Sequence, residues 1–142
     1  MSQTVTPYLL YEDVAAALDW LSKAFGFRET LRFTGDAGYV NHAEMDVGDG
    51  SPIYLGDPGD DYRNPKHLGA ATCLVHVYVD DVDAHHARAV EAGATIVDEL
   101  QEQEYGDRRY GAEDPEGHRW FFAQRIREVA PEEWGATVAQ KG

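Results

Sequence analysis

His42 and Glu44 stand two residues apart in Val40-Asn41-His42-Ala43-Glu44-Met45, so on an extended strand they share one face. An imidazole beside a carboxylate can move protons, and with His76 the pair would make an acid–base cluster or an unconventional metal site. Such a polar pair on a strand more often faces water or a neighbouring strand. His76 sits in the alternating run Leu74-Val75-His76-Val77-Tyr78, where a histidine serves as a hydrogen-bonding pocket group or, less simply, a catalyst. Arg108, Arg109 and Arg119 stand out in an acidic chain. Arg119 could pair with a ligand carboxylate or phosphate, but an internal salt bridge to one of the many carboxylates is the favoured role. His85 and His86 are adjacent, about 100° apart on a helix, and cannot chelate together. They read as structural, His67 and His118 as surface groups, and Cys73 as a small buried hydrophobe. Tyr105, before Gly106, could wall a cleft. No glycine-rich phosphate loop, nucleophile elbow or Cys/His zinc pattern occurs.

The elements that would position these groups come in duplicate. A slide of 68 positions lays Pro7-Tyr8-Leu9-Leu10-Tyr11-Glu12-Asp13-Val14 on Val75-His76-Val77-Tyr78-Val79-Asp80-Asp81-Val82. Ala16 then falls on Ala84 and Ala24 on Ala92, while Gly26 returns as Gly93, one residue short of the same shift. Each half reads as a strand (about 4–11 and 72–79), a helix capped by Asp13 or Asp81, and three further strands. Those strands are expected near 28–34, 38–47 and 51–56, then near 95–102, 107–113 and 118–124. Val14, Leu18, Leu21 and Phe25 form the first helical stripe; Val82, Ala89 and Val90 form the second, with His86 in the place of Leu18. Gly26 and Gly93 are expected to end the helices. The turn-rich stretch from Gly56 to Pro65 connects the halves, and residues 127–142 form a polar tail holding Trp134.

Alternation splits each strand into two faces. Val5, Pro7, Leu9 and Tyr11, with Val75, Val77, Val79, Ile53, Leu55, Trp120 and Phe122, make an apolar face to pack beneath the helices. The opposite face is mixed: Thr6, Tyr8 and Leu10; Leu74, His76 and Tyr78; Pro52 and Tyr54; Arg119, Phe121 and Ala123. Rings with a few polar tips are what a small-molecule cleft needs, since apolar area gives affinity and sparse donors give orientation.

Composition bounds the function. At 142 residues and 43% hydrophobic content, one core is expected. A net charge of −14 disfavours nucleic-acid binding and would draw cationic ligands. There is no membrane-length apolar run, Met1-Ser2-Gln3-Thr4 lacks the layout of a secretory signal, and Cys73 has no disulfide partner, so a cytoplasmic protein is expected.

Several stretches together resemble the vicinal oxygen chelate superfamily of glyoxalases, bleomycin-resistance proteins and dioxygenases, most nearly its PhnB-like branch. They are Thr6-Pro7-Tyr8-Leu9-Leu10, Ala24-Phe25-Gly26, His42-Ala43-Glu44-Met45 with Gly48-Asp49, and His76 to Asp83. Tyr105-Gly106-Asp107-Arg108 and Asp114-Pro115-Glu116-Gly117-His118-Arg119-Trp120 complete the set. The resemblance spans about residues 5–125. It implies an α+β fold of two βαβββ modules, about 4–56 and 72–125, forming an open half-barrel within one domain, 1–126, and commonly a homodimer. In metal-dependent members, ligands come from the first and last strand of each module; by motif position those places are Thr6, about Tyr54, Leu74 and Phe121 here. A register shift of two brings in Tyr8 and His76, which still supplies one good donor. No metal and no cofactor are therefore expected.

The resulting expectation is a metal-free, antibiotic-like small-molecule binder whose ligand meets Tyr8, Tyr54, His76, Tyr105, Arg119 and Phe121. The alternative is a metal-dependent glyoxalase-like lyase, isomerase or dioxygenase using a divalent metal near His42, Glu44 and His76. No nucleic-acid or membrane partner is expected in either case.

Overall fold

The computed structural model describes residues 4–140. The first module is β1 (Tyr8–Leu10), α1 (Val14–Phe25), β2 (Arg28–Thr34), β3 (Val40–Asp46) and β4 (Pro52–Gly56). A connector with the single turn α2 (Pro65–Leu68) leads to β5 (Leu74–Tyr78), α3 (Val82–Glu91), β6 (Thr95–Glu102), β7 (Asp107–Glu113) and β8 (Arg119–Arg125). A 3-10 turn at Pro131–Trp134 follows. Two mixed four-stranded sheets result, in the orders β1-β4-β3-β2 and β5-β8-β7-β6, and they do not close into a barrel. The first and last strand of each module pair in parallel, and every other pairing is antiparallel. This is the α+β, duplicated βαβββ architecture expected from the repeat. No helix among the described residues is long and apolar enough to cross a membrane.

Both helices start as the capping residues dictate. Asp13 accepts from Ala16 N and Asp81 from Ala84 N, each at 3.0 Å. In α1 the stripe Val14, Ala17, Leu18, Leu21, Ala24 and Phe25 is buried, and Gly26 ends the helix at φ 74°. The second helix is weaker. Val82 and Ala89 are buried, but Val90 is 50% exposed, because it lies about 100° around the helix from Ala89. Gly93, at φ 89°, follows an Ala92 that itself closes the helix in right-handed geometry. α3 supports α1 at its end: Arg88 donates to the last-turn carbonyls of Lys23 and Ser22, the latter also accepting from Gly26 N.

The apolar strand face packs under the helices as alternation demands, with Leu9, Tyr11, Ile53, Leu55, Val77, Trp120 and Phe122 all buried. Val75 and Val79 are partly buried against that core. Val5 departs from the expectation at 73% exposed. Strand pairing begins at Tyr8, since Pro7 lacks an N–H and contributes its carbonyl to Tyr54 N instead. The two halves share one core through rings: Phe25 meets Phe122 at 4.6 Å and Phe27 meets Trp120 at 5.3 Å between centroids. His85 joins in. Its Nε2 donates to the Phe25 carbonyl and its Nδ1 accepts from Tyr110 Oη, and burial holds it down to about 4.

Candidate functional site

Registered partners across a strand pair share a face, so the pairings assemble the helix-free face of each sheet. In the first module Tyr8 pairs with Tyr54, Tyr54 with Glu44, and His42 with Gly56. In the second, His76 pairs with Phe121, Phe121 with Gly111, and Arg109 with Ala123. The expected residues Tyr8, Tyr54, His76 and Phe121 thus form one registered pair across the first and last strand of each module.

The parallel pairings join the first and last strand of each module, the strands on which the family resemblance places metal ligands. The matched couples are Tyr8 with Tyr54 and His76 with Phe121, the register two residues on from Thr6 and Leu74. Two phenols, an imidazole and a phenyl ring give one good donor for a divalent cation. The residues present do not fit such a metal. Nor do His42, Glu44 and His76 gather: the first two are within 3.0 Å, while His76 lies in the other sheet with its ring 5.0 Å from Tyr78. Among the described residues no group of three His, Cys, Asp or Glu converges on one point.

In the first module a continuous hydrogen-bonded chain crosses the face. Tyr8 Oη donates to His42 Nδ1 at 2.8 Å, and His42 Nε2 donates to Glu44 Oε2 at 3.0 Å. The carboxylate and the phenol so orient the His42 ring between them. Tyr8 reaches His42 by lying across Gly56, where a Cβ would come 2.8 Å from its Cε1, so only glycine leaves room for the ring. Beyond them Leu31 and Phe33, registered with Glu44 and His42 on edge strand β2, are 46% and 58% exposed.

The second module repeats the trick with different chemistry. Phe121 lies over Gly111, whose Cβ would meet the ring at 2.6 Å. The Arg109 guanidinium stands 5.0 Å over Phe121 and 5.9 Å from the Tyr105 ring. Its Nη2 is 3.5 Å from Asp98 Oδ2 and its buried Nε has no hydrogen-bond partner. Partial burial holds His76 below the ordinary histidine range; Asp107 opposes this and Arg109 reinforces it. Tyr78 and Arg125 both donate to the buried Asp107 carboxylate, at 2.8 and 2.6 Å.

Tyr105 is half-buried and packs on Trp134 at 5.6 Å, which docks the tail's 3-10 turn on its own chain. Arg119 sits at the margin, ion-paired with Glu113 at 3.2 Å. Two clefts flank the seam between β1 and β5. One of about 390 Å³ is lined by Pro7, Pro52, His76 and Tyr78, the other of about 190 Å³ by Tyr8, Leu10, Leu74 and Arg119. A third, of about 330 Å³, lies off this face between the connector and the β7–β8 loop.

Some expectations are corrected. Cys73 is exposed and lines the smaller seam cleft, since it precedes β5 rather than lying within it. His118 is no free surface group: its Nε2 donates to the Leu10 carbonyl at 2.7 Å and its ring meets Tyr11 at 4.6 Å. His67, as expected, is exposed, and it bonds Glu12. Sequence reasoning noticed Arg109 without placing it on this face, and missed Gly56 and Gly111. A slide of 67 rather than 68 beyond the helices lays Arg109 on His42 and Gly111 on Glu44, and the one-residue slip at Gly93 was the available signal.

The family model for the Glyoxalase/Bleomycin resistance protein/Dioxygenase superfamily matches residues 3–122. An uncharacterized protein of Mycobacterium bovis, Mb0911c, is 36% identical over 143 aligned residues, covering 97% of this chain and 93% of its own. Among solved structures, TioX from Micromonospora sp. ML1 is 35% identical with a TM-score of 0.70, covering 88% of this chain and 100% of that one. TnmS3, an antibiotic binding protein from Streptomyces sp. CB03234, shares the fold at 22% identity and a TM-score of 0.62, over 88% and 98% of the two chains. The chain belongs to the glyoxalase/bleomycin resistance protein/dioxygenase superfamily.

Proposed function

We propose that the protein is a metal-free binder that sequesters a planar, antibiotic-like small molecule on the helix-free face, making and breaking no bond. One observation carries the reading: the registered positions on the first and last strands, where a metal-dependent relative would place donors, hold Tyr8, Tyr54, His76 and Phe121. Stacked or edge-on rings bury a flat ligand, and the few polar tips nearby orient it. The antibiotic-binding TnmS3, on the same fold, is in keeping with it. The motif order further leads us to place the chain in the PhnB-like branch, as a cytoplasmic homodimer whose partner covers the exposed Leu31 and Phe33. Trp134 reports on the site through Tyr105. Titration with a panel of planar drugs is expected to change tryptophan fluorescence saturably and to raise the melting temperature by several degrees at saturation. No change in either at millimolar ligand overturns the proposal.

A second reading draws on the His42–Glu44 contact. A metal-dependent lyase, isomerase or dioxygenase built there requires stoichiometric metal in the purified protein and activity lost on chelation. A melting temperature indifferent to added divalent cations counts against it.

A further inference from the structure

The two modules correspond position by position on the helix-free face. Their registers make Tyr8 equivalent to His76, Tyr54 to Phe121, Glu44 to Gly111 and His42 to Arg109. In the second module the ring at the last strand is already covered by a cation of the chain itself, the Arg109 guanidinium 5.0 Å over Phe121. The first module puts an imidazole where that arginine would be.

What surrounds the imidazole is a corner of rings. Tyr8 and Tyr54 lie 5.5 Å apart at 89°, Tyr8 and His42 5.6 Å at 64°, and His42 and Tyr54 5.4 Å at 69°. All three pairs are edge-on, so the ring planes face three different directions. Tyr8 rests on Gly56 and keeps 53% of its surface exposed. Glu44 stands beside them, 31% exposed, with His42 as its partner. Among the described residues no lysine or arginine pairs with it, whereas Arg109, Arg119 and Arg125 of the second module are each matched to a carboxylate.

We propose that the corner of Tyr8, His42 and Tyr54, with Glu44, receives a tertiary or quaternary alkylammonium group, so that the compound the protein holds is a cation. The inference rests on the helix-free face being the ligand site and adds the chemical class of the ligand. Ring quadrupoles attract a cation to their faces, and an alkylated ammonium is poorly hydrated, so it loses little on leaving water. The Glu44 carboxylate supplies the opposite charge, and the net charge of −14 raises the encounter rate of any cation. The second module shows the arrangement completed from within by Arg109.

The test uses choline chloride and its neutral isostere 3,3-dimethylbutan-1-ol, titrated into the full chain at matched ionic strength and followed by tyrosine ring resonances. Choline is expected to bind saturably and at least about tenfold more tightly than the alcohol. His42→Arg, which installs the second module's cation, is expected to remove choline binding. Glu44→Gln is expected to weaken it severalfold and keeps the test decisive if His42→Arg loses its cooperative melting transition. Equal binding of alcohol and choline, or choline affinity unchanged in either folded variant, overturns the assignment. If planar drugs bind while choline shows no preference, the cation assignment alone falls. If both fail to bind, the ligand site falls with it.

Discussion

The loop between β3 and β4, Gly48-Asp49-Gly50, is exposed, and among the described residues it touches the rest of the chain chiefly through Asp46, which accepts from Gly48 N and Gly50 N. Its counterpart between β7 and β8 is a hub. Asp114, 5% exposed, accepts from Tyr11 Oη, Trp120 Nε1 and the backbone N–H groups of Glu116 and His118. Glu116 accepts from the backbone of Glu12 and Asp13 and from Asn64 Nδ2, so one carboxylate from the second module holds the start of α1 and the connector. The same asymmetry runs across the helix-free face, where the second module's arginines are matched internally and the first module's rings stay open. One copy ties the modules and connector together, while the other leaves its rings exposed.

The largest expected effect breaks the hub. Asp114→Ala strands the Tyr11, Trp120 and two backbone donors in a buried site, and is expected to cost about 3–5 kcal/mol in denaturant unfolding. Val47→Ala, at the equivalent place in the first module, is expected to cost about 1 kcal/mol. Similar costs at the two sites would contradict the division of labour.

A smaller effect separates the helices. His85 of α3 falls on Ala17 of α1, so acid sensitivity should belong to the second module. Burial lowers His85 from 6.5 to about 4 in the fold, with Arg88 adding to the shift and the Phe25 carbonyl opposing it. The unfolded chain therefore takes up a proton first as the pH falls, and its share of stability is full above about 6.5 and lost progressively down to about 4. The loss should reach the order of 2 kcal/mol, discounted for the ring's partial exposure. Asp114, raised by its own burial, works in the opposite direction, so the quantity to measure is the difference in unfolding free energy between wild type and His85→Ala across that range. A difference that does not change with pH would remove His85 from the account.

The fold was legible because period-2 strands, Asp caps and the 68-residue repeat all point the same way, and the observed strands fall within a few residues of those read from the pattern. The site was legible only in part. Alternation put Tyr8, Tyr54, His76 and Phe121 on one face, but a face says nothing about which tips touch. That Tyr8 bends over Gly56 to His42, or that Arg109 covers Phe121, depends on rotamers and on glycines that leave room, and neither has a periodic signal. His118 and Cys73 were misread for a related reason: both sit at strand starts, where a single residue decides between surface, seam and core.

The most direct test of the account is a map of side-chain resonance shifts on adding a planar aromatic ammonium compound to the wild-type chain. Binding on the open face predicts saturable shifts at Tyr8, His42 and Tyr54, smaller ones at His76 and Phe121, and none at Trp20 on the helix side. Shifts centred on Trp20 and α1, or spread without saturation, would contradict it.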